Sequence, residues 1–390
     1  MEIRTWNVCT ELDPCLAGLY RGIIDFARAL EAPVLSFSQH VTGTNVSSDV
    51  PVSEVVCGPN PRGYPCLWVG RSAARSADRL VREADLLVVH SLFRGHVGWA
   101  TAHAERRGTR LWAVPHGCLD PWGLKQRWPL KRAWLDACGG RFLEQASVSV
   151  FATRREREKA GAWIRSAATA VIPWPVELPD LCGREAARQR FRERLAIPDS
   201  AIILLSAARL HSMKRPLETV AAFCAADTQD AHLVMLGMDG DVTSMQVCGA
   251  VPPGHRGHVH VPGPLCNADL QDAWLGADGF ISLSRRENFG YSFAEALAYG
   301  LPVIASPGHD LAWDLPMDRS GRWPYGWLLP NDSQGCATEA ITNFVRRCRR
   351  IGPSSQLSAA QFSSARSWIA EHLAPDRFRE RLRELKCRTL

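Results

Sequence analysis

Short, almost continuously apolar runs alternate with amphipathic stretches along the whole chain, and this rhythm constrains the fold more than any single motif does. In the first half the runs are Ile3–Val8, Val34–Phe37, Leu86–Val89, Leu111–Val114 and Val148–Ala152; in the second they are Ile202–Ser206, Leu233–Leu236, Val259–Val261, Phe280–Leu283 and Val303–Ala305. A run without polar alternation suits a strand covered on both faces, and strands separated by helix-length segments pair in parallel. After the first run, Leu19, Ile23, Phe26, Ala27 and Leu30 share one face at a 3.6-residue period, as a covering helix requires. A chain of 390 residues is long enough for two domains with separate cores. The proline-rich stretch Ile172-Pro-Trp-Pro-Val-Glu-Leu-Pro179 breaks the rhythm and marks the linker. The expected fold is α/β, with two doubly wound domains facing each other across a cleft. Ligands of such sheets sit outside the carboxyl ends of the strands, so chemistry is sought just after each run.

Two post-strand segments stand out. Ser284-Arg-Arg-Glu-Asn-Phe-Gly-Tyr-Ser-Phe-Ala-Glu295 sets Glu287 and Glu295 eight residues apart across a turn that runs into a helix. Gly290 frees the backbone to approach a ligand. Ser292 to Glu295 reads as a Ser-x-x-Glu capping box, and a helix N-terminus there is an anion site. The other segment follows Ile202–Ser206 and carries Arg209, Lys214 and Arg215 just before Pro216, which suits the first position of a helix. Cations at that end oppose the helix dipole at about 0.3–1 kcal/mol each, a cost that a bound diphosphate would cancel. Solvated side chains are the plainer reading of an isolated cluster. A second anion-ready helix start in the same half outweighs it.

Together these residues resemble the nucleotide-sugar-binding domain of GT-B glycosyltransferases, specifically glycosyltransferase family 4. Arg209 and Lys214 match that family's Arg-x4-Lys pair, and Glu287 and Glu295 its Glu-x7-Glu motif. Leu236-Gly237, Val261-Pro-Gly263, Ala277-Asp278 and Gly326-Trp327-Leu-Leu-Pro-Asn331 agree further. In the first half, Val114-Pro-His116-Gly and the residues up to Leu124 look like the Pro-His-Gly segment of a bacterial surface-polysaccharide branch. The resemblance implies two Rossmann-like domains in the GT-B arrangement: residues 1–178 on the acceptor side, residues 179–372 for the nucleotide sugar, and a final helix in 373–390 packing back on the first domain.

The same resemblance implies roles residue by residue. Arg209 and Lys214 clamp the donor diphosphate, and Glu295 accepts hydrogen bonds from the ribose. The N–H groups of Asn288, Phe289, Gly290 and Tyr291 hold the phosphates and sugar. Glu287 contacts the sugar near the reacting centre, Gly263, Pro264 and Leu265 border the base, and His116 lies near the transferred sugar. Gly18 stands beside the diphosphate where the family usually shows Gly-Gly, and Ala17 departs from that pattern. The implied reaction is retaining transfer of a sugar from a nucleotide-diphosphate sugar to a saccharide or lipid-linked saccharide, in cell-surface polysaccharide or glycolipid biosynthesis. It calls for no cofactor and no metal, since two cations and a helix end already balance the diphosphate. A GT-B nucleotide-sugar epimerase and a catalytically silent GT-B scaffold are the alternatives. The first would need further acid/base carboxylates, and the second sits poorly with four intact charged positions.

Other features carry less. Glu295 could serve only to cap its helix, and His116 could be a satisfied histidine at a strand end. His255, His258 and His260 have no carboxylate or cysteine cluster beside them and read as strand-edge residues rather than a metal site. Gly237-Met-Asp-Gly240 is too short for a dinucleotide fingerprint. The 13 cysteines include no C-x-x-C pair and are expected to be reduced thiols. A formal charge of +6 is modest for this length and gives no case for nucleic acid. No run approaches the roughly 18 apolar residues of a membrane span, so a cytoplasmic protein is expected. Trp122, Lys125, Arg127, Trp128, Lys131, Arg132 and Trp134 interleave cations with large rings, and suit peripheral contact with an anionic inner membrane face.

Overall fold

The apolar runs become parallel strands in the computed structural model, which describes residues 3–12, 18–39, 49–57, 66–319, 323–351 and 359–389. The chain divides into two units, Met1–Pro175 with Pro375–Leu390, and Val176–Ala374. The division falls inside the proline-rich stretch.

In the first unit the strands are β1 (Thr5–Thr10), β2 (Val34–Ser38), β3 (Val52–Val56), β4 (Leu86–His90), β5 (Arg110–Val114), β6 (Val148–Phe151) and β7 (Ala168–Val171). They lie in the order β3-β2-β1-β4-β5-β6-β7, all neighbours parallel. The helices are α1 (Gly18–Leu30), α2 (Arg71–Leu80), α3 (Gly95–Arg107), α4 (Pro121–Lys125), α5 (Trp128–Trp134), α6 (Gly140–Gln145) and α7 (Arg154–Ala160). β2, β4 and β6 are buried along their whole length, as their unbroken apolar runs require.

The second unit repeats the plan with β8 (Ile202–Ala207), β9 (Ala231–Leu236), β10 (Val259–Gly263), β11 (Gly279–Ser282), β12 (Val303–Ala305) and β13 (Gly326–Leu328), ordered β10-β9-β8-β11-β12-β13. Its helices are α8 (Arg184–Leu195), α9 (Pro216–Cys224), α10 (Ser244–Gly249), α11 (Asn267–Gly276), α12 (Tyr291–Ala298), α13 (Gln334–Ile351) and α14 (Ala359–His372). In each sheet the order in which strands are added reverses once, between β1 and β4 in one and between β8 and β11 in the other. These switch points open a crevice at the carboxyl ends of the central strands.

The last helix, α15 (Pro375–Thr389), belongs to the first unit and packs on α1. Phe378 meets Phe26 edge-on at 5.2 Å, Trp174 meets the same ring at 5.2 Å, and Trp112 Nε1–H donates to Thr389 Oγ1 at 3.2 Å.

Three strands escape the sequence reading: β3, β7 and β13. All lie at sheet edges, where one side stays wet; β7 shows no buried residue and β3 only Val55. Their sequences lack the apolar run that marks a strand covered on both faces. The expectation of reduced thiols throughout is also corrected. Cys57 and Cys66, both buried, form a disulfide with Cα atoms 6.0 Å apart, because the backbone after β3 returns to the same spot before α2. The ten other described cysteines are free.

Candidate active site

In the second unit, the loops after β8, β11 and β12 converge beyond the strand ends. After β8 the chain forms a 3-10 turn, Ser212–Lys214, whose start is capped by His211 Nδ1 accepting from Met213 N–H at 3.0 Å. Ser212 N–H donates to Asp241 at 2.7 Å, tying this turn to the loop after β9. Arg215 then takes a left-handed backbone (φ 58) as the N-cap of α9, with Pro216 as the first helical residue. Its guanidinium is buried and donates to the Asp332 carbonyl at 2.9 Å, so this third cation is structural. Arg209 is exposed.

Lys214 is turned inward and forms an ion pair with Glu287 Oε1. Burial, then the charges of Arg209 and Arg286, push the Lys214 ammonium down to about 8, while Glu287 against it favours the charged form. Glu287 is held by its backbone as well: its N–H donates to Gly308 O at 2.9 Å, and its carbonyl accepts from Asp310 N–H at 2.8 Å. Gly308 permits this pairing, since a Cβ there would lie 2.4 Å from Arg285 O.

Gly290 has φ 76 and is itself the N-cap of α12, with no side-chain capping bond. The expected Ser292–Glu295 capping box is therefore corrected: Ser292 lies inside the first turn, two residues too late to cap. The left-handed glycine has taken the cap position, so the cap residue itself has no side chain to close the helix start where an anion would bind. Phe289, 1% exposed, anchors the turn in the core and meets Tyr291 edge-on at 5.0 Å; Asn288 and Tyr291 are half-buried. Glu295 is half-buried one turn further on, and burial followed by its charge raises the Tyr299 phenol.

His309, which the sequence reading does not single out, completes this cluster. It forms a lone parallel bridge with Glu287, stacks on Phe293 at 5.1 Å, and places Nε2 2.9 Å from Ser282 Oγ. A Cβ on Gly290 would lie 3.3 Å from its Nδ1. Burial, then the Lys214 charge, push His309 down to about 3, so it is neutral. A polar residue after a buried three-residue strand was the available signal. Lys214, Glu287, Gly290 and His309 are thus brought together, with Arg209 near enough to act on Lys214 electrostatically. Gly263 ends β10 with φ 86, followed by exposed Pro264 and half-buried Leu265, and among the described residues no hydrogen bond or ion pair joins them to that cluster.

The first unit holds its own polar cluster at the β1/β4 switch point. His116, two residues past β5 with φ 50, places Nε2 2.9 Å from His90 Nδ1, and His90 Nε2 lies 3.0 Å from Asn7 Oδ1. An amide oxygen only accepts, so His90 donates from Nε2 and His116 Nε2–H donates to His90 Nδ1. Burial pushes His116 down to about 3, and burial followed by the charges of His116 and His96 pushes His90 well below the usual imidazole range. The His116 loop is fixed by buried Glu156, whose carboxylate accepts from Gly117 N–H at 2.5 Å and Ala152 N–H at 2.8 Å. Glu156 is a second functional candidate missed in the sequence, although Thr153-Arg-Arg-Glu156 carries the Thr-x-x-Glu spacing that signals a helix start. Gly18 is the first residue of α1, and Ala17 lies outside the described residues. Among the described residues no three His, Cys, Asp or Glu side chains are grouped to hold a metal.

Residues 187–345 match the family described as glycosyl transferases group 1. A D-inositol 3-phosphate glycosyltransferase of Xylanimonas cellulosilytica is 32% identical over 142 residues, covering 35% of this chain and 34% of that protein. A GDP-mannose-dependent alpha-mannosyltransferase of Mycolicibacterium smegmatis is 29% identical over 184 residues, 47% of this chain and 44% of its own. The chain therefore matches between a third and a half of the length of these curated relatives. Among solved structures, Anabaena Alr3699/HepE in complex with UDP superposes with a TM-score of 0.76 at 16% identity, covering 99% of this chain and all of that one. Sucrose-phosphate synthase of Thermosynechococcus elongatus gives 0.74 at 16% identity, covering 99% and 98%. The fold is GT-B, built from two Rossmann-like units. Its second unit carries the region that matches the group 1 glycosyl transferases.

Proposed function

We propose that this chain is a family 4-type glycosyltransferase that moves a sugar, with retention, from a nucleotide-diphosphate sugar to a saccharide or lipid-linked saccharide in cell-surface polysaccharide or glycolipid biosynthesis. The observation that carries this reading is the Lys214–Glu287 pair beside the uncapped start of α12, with Arg209 adjacent. The names of the matched relatives support a nucleotide-sugar donor, as do the UDP and UDP-glucose bound to the Anabaena neighbour.

On donor binding, Lys214 turns from Glu287 to the diphosphate, and Glu287 is released to the sugar. As the bond between the anomeric carbon and the phosphate oxygen breaks, negative charge grows on that oxygen. Lys214, Arg209 and the helix start then bind it more tightly than they bound the ground state, which lowers the barrier. Glu295 takes the ribose and Gly263–Leu265 the base. His116 and Gly18 keep the roles the family pattern assigns. These cations meet the diphosphate charge without a metal.

The acceptor side carries a surface suited to an anionic membrane. Trp122, Trp128 and Leu130 are 40%, 37% and 57% exposed, no residue of α5 is buried, and Lys125, Arg127 and Arg132 are exposed among them. No helix among the described residues is long and apolar enough to cross a membrane. The reading is tested by titrating UDP-, GDP- and ADP-sugars in a thermal-shift assay. A ligand at 100 times its dissociation constant adds about 2.7 kcal/mol of stability, and no shift with any of them refutes the proposal. Co-sedimentation with vesicles that is independent of anionic lipid removes the membrane part alone.

A further inference from the structure

His309 is 1% exposed, yet among the described residues its Nδ1 has no hydrogen-bond partner. Buried polar atoms are rarely left this way, because an unmatched acceptor forfeits its water without return. Packing does not explain the choice, since the ring stacks on Phe293 and a phenylalanine would stack as well.

The hydrogen-bond chain on the other nitrogen does explain it. Ser284 Oγ lies 3.5 Å from Glu287 Oε1, Ser282 Oγ lies 3.3 Å from Ser284 Oγ, and His309 Nε2 lies 2.9 Å from Ser282 Oγ. A carboxylate only accepts, so Ser284 donates to Glu287 and Ser282 donates to Ser284. His309 must then donate from Nε2. Nδ1 is consequently the bare lone pair, and the unmatched atom is the consequence of committing the Ser282 proton to Ser284 and the Ser284 proton to Glu287. With the opposite tautomer Ser282 would give its proton to His309, and the single Ser284 proton would be divided between Ser282 and Glu287 instead of being committed to the carboxylate. Among the described residues, Lys214 and Ser284 are the side chains that reach the Glu287 carboxylate. Once Lys214 turns to a diphosphate, Ser284 alone of these two still orients it.

We propose that His309 is a positioning residue acting through Glu287: donating from Nε2, it sets the Ser282–Ser284 hydroxyl chain and thereby aims the Glu287 carboxylate at the sugar of a nucleotide-diphosphate sugar. This rests on the donor-site reading above and extends it, because it separates recognition of the sugar from recognition of the nucleotide. Burial beside Lys214 keeps the imidazole neutral through the physiological range, so the chain does not switch with pH.

The test is calorimetric binding of UDP against UDP-glucose, and of GDP against GDP-mannose, to the full chain and its variants. His309→Phe should weaken the nucleotide sugar about tenfold or more, the worth of one hydrogen bond to a charged group, and leave the nucleoside diphosphate within about twofold. His309→Gln, whose amide can donate to Ser282, should restore most of the preference. Ser282→Ala, a smaller change, should reproduce the loss if the phenylalanine variant does not fold. An equal fall for both ligands, or a glutamine variant no better than phenylalanine, overturns the proposal and leaves the donor site standing. Failure of the parent to bind either pair overturns the donor-site reading itself.

Discussion

Removal of the Lys214 ammonium is the sharpest perturbation this site offers, because its two expected effects differ in size and kind. The side chain is 23% exposed and its partner Glu287 15%. Lys214→Ala leaves Glu287 without its cation in a largely buried place. Loss of one partner from a fully buried pair costs about 3–5 kcal/mol. Here the residual exposure and relief of repulsion with Arg209 and Arg286 reduce that, and about 1–2 kcal/mol is expected. The effect on transfer should be larger. Loss of one preorganised donor to a developing oxyanion costs about 2.7–4 kcal/mol, or 10²–10³ in turnover. The assay is turnover with a radiolabelled donor, alongside urea denaturation of Lys214→Ala, Glu287→Gln and the double variant. The stability cycle should show a coupling of about 1 kcal/mol between two residues in contact. Turnover by Lys214→Ala equal to that of the parent would refute the assigned role, whatever the stability data show.

Three further outcomes follow from the same geometry. Lys214 is charged only below its pKa of about 8, so nucleotide affinity should hold below that pH and decline above it. Lys214→Arg, which stays protonated, should bind with a flat profile through pH 8–10, measured by calorimetry. Gly290→Ala places a Cβ 3.3 Å from His309 Nδ1 on a backbone of φ 76, and should cost about 1–2 kcal/mol in urea while weakening nucleotide-sugar binding. Glu156→Gln exchanges a double acceptor for a group with one carbonyl, leaving a Gly117 or Ala152 N–H unmatched. A loss of about 1–3 kcal/mol is expected, and an unchanged denaturation midpoint would show that the loop does not need the carboxylate.

Much of this was legible in the chain because the central strands must be apolar on both faces. β2, β4, β8 and β9 announce themselves for that reason, and so does the doubly wound class. β3, β7 and β13 do not, because edge strands tolerate polar residues and short lengths. Lys214, Glu287 and Gly290 were readable because their roles depend on local spacing around a turn. Ser292 misled, since a Ser-x-x-Glu spacing cannot reveal that a left-handed glycine two residues earlier has already taken the cap. His309 and Glu156 were missed because each acts on a backbone or side chain distant in sequence.

By itself the sequence determined the alternation of strand and helix, the two-unit plan and the charged residues that follow β8 and β11, since periodicity and local turn chemistry are properties of neighbouring residues. Only the tertiary structure decided that Lys214 faces Glu287 while Arg215 is consumed by Asp332, that His309 lies beneath Gly290, and that Glu156 anchors the His116 loop. Those pairings join residues from 4 to 117 positions apart. Their partners are chosen by which strands the sheet brings side by side.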